Sequence, residues 1–222
     1  MQTIFQVLAL TILLFIAQEV LRSAGKLVSW GVFLLIPIVL TPYWLGVNEF
    51  GLFMWIKLYT ICFCVCWGTL LRFTSLGNRP WARSTIPLLL AGNILEATAL
   101  DVLERGLAHD LNAVAGVLLV LTVPFGSKVT QIDSSRRLRD LYCGTTRVWI
   151  IGYTLWNWTF VYLNYPSMVG QHTAVLLASL VVAAIDPRRW TQARAYTLGV
   201  HLIAMATFHS DMISWMDTTG WE

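Results

Sequence analysis

Six polar side chains lie in stretches of this chain that are otherwise apolar: Lys57, Asn93, Glu96, Asp101, Asn157 and His209. Their types can do chemistry. A carboxylate out of water holds a proton or a cation, and a neighbouring lysine decides which. A histidine changes charge near neutral pH. An ionisable group at membrane depth costs several kcal/mol unless it is paired, protonated or hydrated. By that measure Glu96 is the costliest residue in the chain. Lys57 is its expected partner, since both lie roughly 9–12 Å from one end of their helices at 1.5 Å per residue. Asn157 and His209 reach the same depth on the same rule. Together the four outline a hydrated cavity open to one side. Asp101, Asn112, Asn164 and His172 form a shallower polar rim.

These groups need helices to hold them. The run PLLLAGNILEATALDVLE puts Asn93, Glu96, Asp101 and Glu104 within an arc of about 140° at helical spacing. In RVWIIGYTLWNWTFVYLNYP, Trp149, Tyr153, Trp156, Asn157, Phe160 and Asn164 share a stripe. His201 and His209 lie two turns apart on roughly one face of the last apolar run, too far apart to share a metal. Eight such runs are long enough to cross a hydrocarbon core as helix. They cover residues 3–22, 28–46, 51–71, 86–104, 111–129, 147–165, 167–185 and 193–215. The expected fold is therefore all-α: a polytopic bundle of eight transmembrane helices forming one domain over residues 1–222.

Charge sets the orientation. Of the 15 Lys and Arg residues, 13 fall on one side of this arrangement. Arg22 and Lys26 lie in the first connection, Arg72, Arg79 and Arg83 in the third. Lys128, Arg136, Arg137, Arg139 and Arg147 belong to the fifth, and Arg188, Arg189 and Arg194 to the seventh. Arg105 alone lies opposite, and Lys57 is inside a span. Positive loops stay in the cytoplasm, so both termini are expected outside, in a multi-pass protein of the inner membrane. Glu19, Arg22, Arg147 and Arg194 make a second expected cluster, at the cytoplasmic face, as a salt-bridge network or an inner gate.

Composition agrees. The chain is 57% hydrophobic and 12% charged, about half the charged share of a soluble domain. The net charge of +3 is spread over loops, where lipid and orientation account for it, so nucleic acid is not an expected partner. The lipid bilayer is one, a small polar or ionic solute is another, and a homo-oligomer is compatible with the pattern. The four cysteines, Cys62, Cys64, Cys66 and Cys143, read as apolar packing residues rather than metal ligands. The first span lacks the basic start of a signal peptide. The sequence leaves any cofactor open, and no metal site is expected. Neither H-E-x-x-H nor G-x-S-x-G occurs. The last spans hold no lysine for a retinal Schiff base.

The chain resembles a family of bacterial multi-pass membrane proteins of unknown function. The motifs that carry the resemblance are N-I-L-E-A at 93–97 with Asp101 following, W-I-I-G-Y-T-L-W-N at 149–157, and W-T-Q-A-R-A-Y-T-L at 190–198. Shorter echoes are E-V-L-R at 19–22, W-I-K-L-Y at 55–59 and N-A-V-A-G at 112–116. Thr154 and Leu100 depart from the family pattern, which often has an acidic and a basic residue there. The resemblance implies a membrane fold and gives weight to Lys57, Asn93, Glu96, Asp101, Asn157 and Arg194. It implies no reaction. Three function classes stand open: a small transporter or channel, with proton coupling as one form of it; a membrane-embedded enzyme with Glu96 as acid/base; and a structural or assembly subunit.

Overall fold

Long apolar runs make long helices in the computed structural model, which describes residues 2–126, 128–133 and 138–221. In chain order they are α1 (Gln2–Ser23), α2 (Lys26–Val47), α3 (Leu52–Phe73), α4 (Pro80–Glu104) and α5 (Leu107–Leu121). Then come α6 (Arg147–Asn164), α7 (Val169–Ile185), α8 (Trp190–Thr207) and α9 (His209–Trp215). Five helical stretches are long and apolar enough to cross a membrane: α1, α2, α3, α4 and Pro166–Ile185, which contains α7. Helix α5, with 15 residues, is shorter. Helices α6 and α8 have 18 residues each and carry much of the polar interior.

Three departures from expectation have a local reason. The fifth run was expected over 111–129. The helix ends at Leu121, and Pro124 lies beyond it. Thr122 Oγ1 folds back onto Leu118 O at 2.7 Å and closes the last turn, and a proline cannot extend it. The eighth run, expected as one helix over 193–215, breaks at Phe208. Asn48, the residue just past the end of α2, donates from Nδ2 to Ala206 O at 2.7 Å, so a carbonyl at that end is capped from outside the helix. The 130–142 stretch, expected as a basic loop, contains a hairpin of β1 (Thr130–Ile132) and β2 (Leu141–Cys143). The strands are antiparallel, with Gln131 opposite Tyr142. Arg136 and Arg137 lie outside the described residues.

Pro37 and Pro42 are both inside α2. Proline at 37 leaves the carbonyl at 33 without its helical donor and crowds it. The turn Gly31–Leu35 widens to a π-helix directly before it, a local adjustment that accommodates the ring.

Two large apolar cores result, with a smaller one of Leu71, Ala82, Ile86 and Leu141 beside the hairpin. One joins Leu10, Leu14, Phe33, Trp44, Leu58 and Ile61 to Ala174, Ala178 and Tyr196. The other joins Ile94, Ala97, Ile150, Tyr153, Trp156 and Phe160 to Leu176 and Trp190. Helices α7 and α8 serve both and form the seam between them. In α8, 12 of 18 residues are buried, which makes it the central helix. Closest approach occurs between α4 and α5. A Cβ on Gly116 would sit 2.1 Å from Thr98 Oγ1, so this crossing requires glycine. The outer surface is apolar. Leu107, Leu111, Val114, Leu118 and Leu121 expose one stripe of α5, and Leu88, Leu95 and Val102 one stripe of α4.

Candidate functional site

Two cavities lie along the seam. One runs toward the Lys/Arg-rich end, between α3, α4 and α8 and under the hairpin. It has a free volume of about 80 Å³ and is walled mainly by apolar side chains, with Asn93, Arg72, Gln192 and Arg194 among its polar groups. The other opens toward the opposite end, with a free volume of about 50 Å³, and is lined by Lys57, Asn93, Asn157, His172, Arg194 and His201 among others. One water needs roughly 10–15 Å³ by this kind of measure, so each has room for several waters or a small solute. Asn93, Arg194 and Leu198 line both.

The structure brings Lys57 and Glu96 together, Nζ to Oε2 at 3.0 Å. Lys57 Nζ also donates to Asn93 O at 3.3 Å and lies 5.2 Å from the Phe53 ring centroid. The pair joins α3 to α4 at the matched depth. Glu96 itself is not among the residues lining the second cavity. It holds Lys57 from behind, and its Oε1 is buried without a protein partner.

Asn157 is placed by α6, whose buried stripe carries Trp149, Tyr153, Trp156, Asn157 and Phe160. Its Oδ1 accepts from Arg194 Nη2 at 2.8 Å and lies 2.7 Å from His172 Nε2. Arg194 stands 5.9 Å from the Tyr153 ring centroid. Its Nε and Nη1 are buried without a protein acceptor, as are Asn93 Nδ2 and both ring nitrogens of His201.

Asp101 makes a separate lock. Its side chain is fully buried and accepts from Asn112 Nδ2 at 2.7 Å and Asn164 Nδ2 at 2.9 Å, with His109 Nδ1 at 3.0 Å. It ties α4, α5 and α6 together beside the turn through Arg105 and Gly106. His172, expected in this rim, belongs with Asn157 instead.

His209 does not join the cavity. The break at Phe208 sends it onto α9, where it meets the Phe50 ring edge-on at 5.0 Å. Arg147 and Arg194 both leave the expected cytoplasmic-face cluster. Arg147 is exposed on the first turn of α6. Arg194 points inward because its acceptor, Asn157, is there.

What remains at the basic end is a tight network built on Asp140. Arg22 grips its buried carboxylate through Nε at 2.7 Å and Nη2 at 2.8 Å. Arg22 Nη1 reaches Glu19 at 2.7 Å, and Arg189 also binds Glu19. Arg72 donates to Tyr196 Oη at 2.5 Å and to the carbonyls of Arg22 at 2.8 Å and Leu138 at 2.6 Å. Burial alone would raise the Asp140 carboxyl, but the hydrogen bonds and charge of Arg22, with Arg189 and Arg72 nearby, hold it below the usual aspartate value. The network pins the hairpin over the first cavity.

Sequence reasoning passed over His201, Asp140 and Arg72 as site residues. A signal existed for His201: Arg194, Leu198 and His201 stand at i, i+4 and i+7, one face of α8. Asp140 gave none, since its partner is 118 residues away. Among the described residues, no group of three or more His, Cys, Asp or Glu side chains could hold a metal ion.

No curated protein and no solved structure matches the chain. One family model does, over residues 1–217, and its description is a family of unknown function, DUF5692. With nearly its whole length matched, the chain belongs to that family.

Proposed function

We propose that this protein is a small multi-pass transporter or channel of the inner membrane, and that its seam cavities bind and pass a small polar or ionic solute. The exposed stripes of leucine, valine and isoleucine on α1, α2, α4 and α5 suit a lipid surround. Eight crossings with both termini outside agree with the loop charges. The observation that carries the reading is the chain of polar groups from one end to the other. Lys57, Asn157 and His172 serve the outer cavity, Arg72 and Gln192 serve the inner one, and Asn93 and Arg194 belong to both. Buried polar side chains in a membrane interior mark solute and ion paths.

The pairing of Lys57 with Glu96 also suits a structural subunit whose polar groups only lock helices. That reading gives no role to Arg194, buried beside a cavity with two nitrogens lacking a protein acceptor.

The test is flux. Purified protein in liposomes is challenged with a panel of inorganic ions, organic acids, organic cations and neutral polyols, against protein-free vesicles. Protein-dependent movement of at least one class is expected, falling tenfold or more in Asn93→Leu. No protein-dependent movement of any class overturns the proposal.

A further inference from the structure

We infer that the outer cavity is a binding site for a small monocarboxylate, with the Arg194 guanidinium as the group that meets the carboxylate. The inference rests on the transport reading only for the fate of the ligand. Arg194 is 5% exposed and charged at any working pH. Among the described residues, Arg22, Lys57, His109, Arg188 and Arg189 are joined to carboxylates, and Arg194 is not. Its protein partners are Asn157 Oδ1 at 2.8 Å and the His172 ring nitrogen Nε2 at 3.3 Å, both neutral and both met by Nη2 alone. A buried cation without a counter-charge is stabilised by an anion far more than by a neutral guest.

The charge balance gives the valence. Lys57 is matched by Glu96 at 3.0 Å, so the surplus over the cavity is the single positive charge of Arg194. Donors also exceed acceptors. Arg194 Nε and Nη1 and Asn93 Nδ2 have no protein acceptor, whereas Asn157 Oδ1 already faces Arg194 and His172. The cavity therefore fits oxygen lone pairs, and the planar guanidinium suits a carboxylate. Phe53, Phe160 and Leu202 supply apolar wall. That wall favours an organic acid with a short apolar stem over a hydrated inorganic ion.

The probe is sodium propionate, with propionamide as its uncharged counterpart and sodium chloride as the inorganic anion. Titration calorimetry on detergent-purified full-length protein reads binding directly. Saturable propionate binding is expected, at least tenfold tighter than propionamide or chloride. Arg194→Gln should lose that preference, and Arg194→Lys should keep part of it. Because removing an unmatched buried charge relieves the fold, Arg194→Gln should melt no lower than wild type in carboxylate-free buffer. Wild type that binds neither probe, or binds propionamide equally, overturns the inference without any variant. So does an Arg194→Gln protein that binds propionate as wild type does. Propionate binding without flux of any solute overturns transport and leaves this site standing. Flux of a cation or polyol, with propionate neither bound nor moved, overturns this site and leaves transport standing.

Discussion

Arg194 Nη2 and Asn157 Oδ1 stand 2.8 Å apart, and this one hydrogen bond joins the central helix α8 to the aromatic face of α6. Arg194 sits one turn into α8, close to the basic end, yet its head lies among groups that α3, α4, α6 and α7 place in the interior. The two cavities meet where it crosses. Arg194 and Asn93 are the only side chains with free donors lining both cavities among the described residues.

The Lys57–Glu96 pair should be strongly coupled. Removing one member of a buried pair costs about 3–5 kcal/mol, and the partial exposure of Glu96 puts the expected loss near the low end. Lys57→Met and Glu96→Gln should each lower the thermal midpoint, and the double variant should lose less than their sum. A double-mutant cycle on purified protein measures this. Independent, additive losses would remove the pair from the account.

Asp140 makes the basic-end network sensitive to acid. Its carboxyl is held below the ordinary aspartate value, so the stability it contributes is complete above about pH 4 and is lost as pH falls through the lowered folded value. Asp140→Asn should cost about 3 kcal/mol at neutral pH, since Arg22 then faces no charge there. The gap between wild type and variant should stay constant from neutral pH to about pH 5 and narrow below about pH 4. Thermal melts across that range check it.

The α4–α5 crossing depends on Gly116. A Cβ there meets Thr98 Oγ1 at 2.1 Å and Trp156 Nε1 at 2.9 Å. Gly116→Ala should destabilise by about 1–3 kcal/mol, the usual cost of overpacking. Thr98→Ala in the same protein should recover part of the loss by removing the nearer atom. A melt in which Gly116→Ala matches wild type would contradict the packing.

The proposed orientation rests on the loop charges. A cysteine placed in the 46–50 or 105–110 connection of a cysteine-free protein should react with an impermeant thiol reagent added outside intact cells. One placed at 132–138 should react only after the membrane is opened. The opposite pattern would invert the topology.

Much of this was legible in the sequence. Lys57 and Glu96 could be matched because each sits on its own apolar helix and the rise per residue gives its depth. The helices themselves follow from uninterrupted apolar runs. Rotation and reach were less accessible. Arg194 counts as an end-of-helix anchor by position, and its inward direction depends on Asn157, a residue of another helix. The break at Phe208 depends on Asn48, which is distant in sequence. The hairpin Thr130–Ile132/Leu141–Cys143 lies in a polar segment without strong alternation, and long-range partners such as Arg22 and Asp140 have no local signature.

The central claim is that the polar seam is a path reached by water from both sides of a membrane. Asn93 lines both cavities, so it is the position to probe. Cys62, Cys64, Cys66 and Cys143 are replaced by serine or alanine, Asn93 becomes the single cysteine, and a small charged thiol reagent is applied to oriented vesicles from each side in turn. The account predicts modification from the outside and from the inside. A residue at 93 that stays unmodified from both sides, in protein that is otherwise folded, would contradict it.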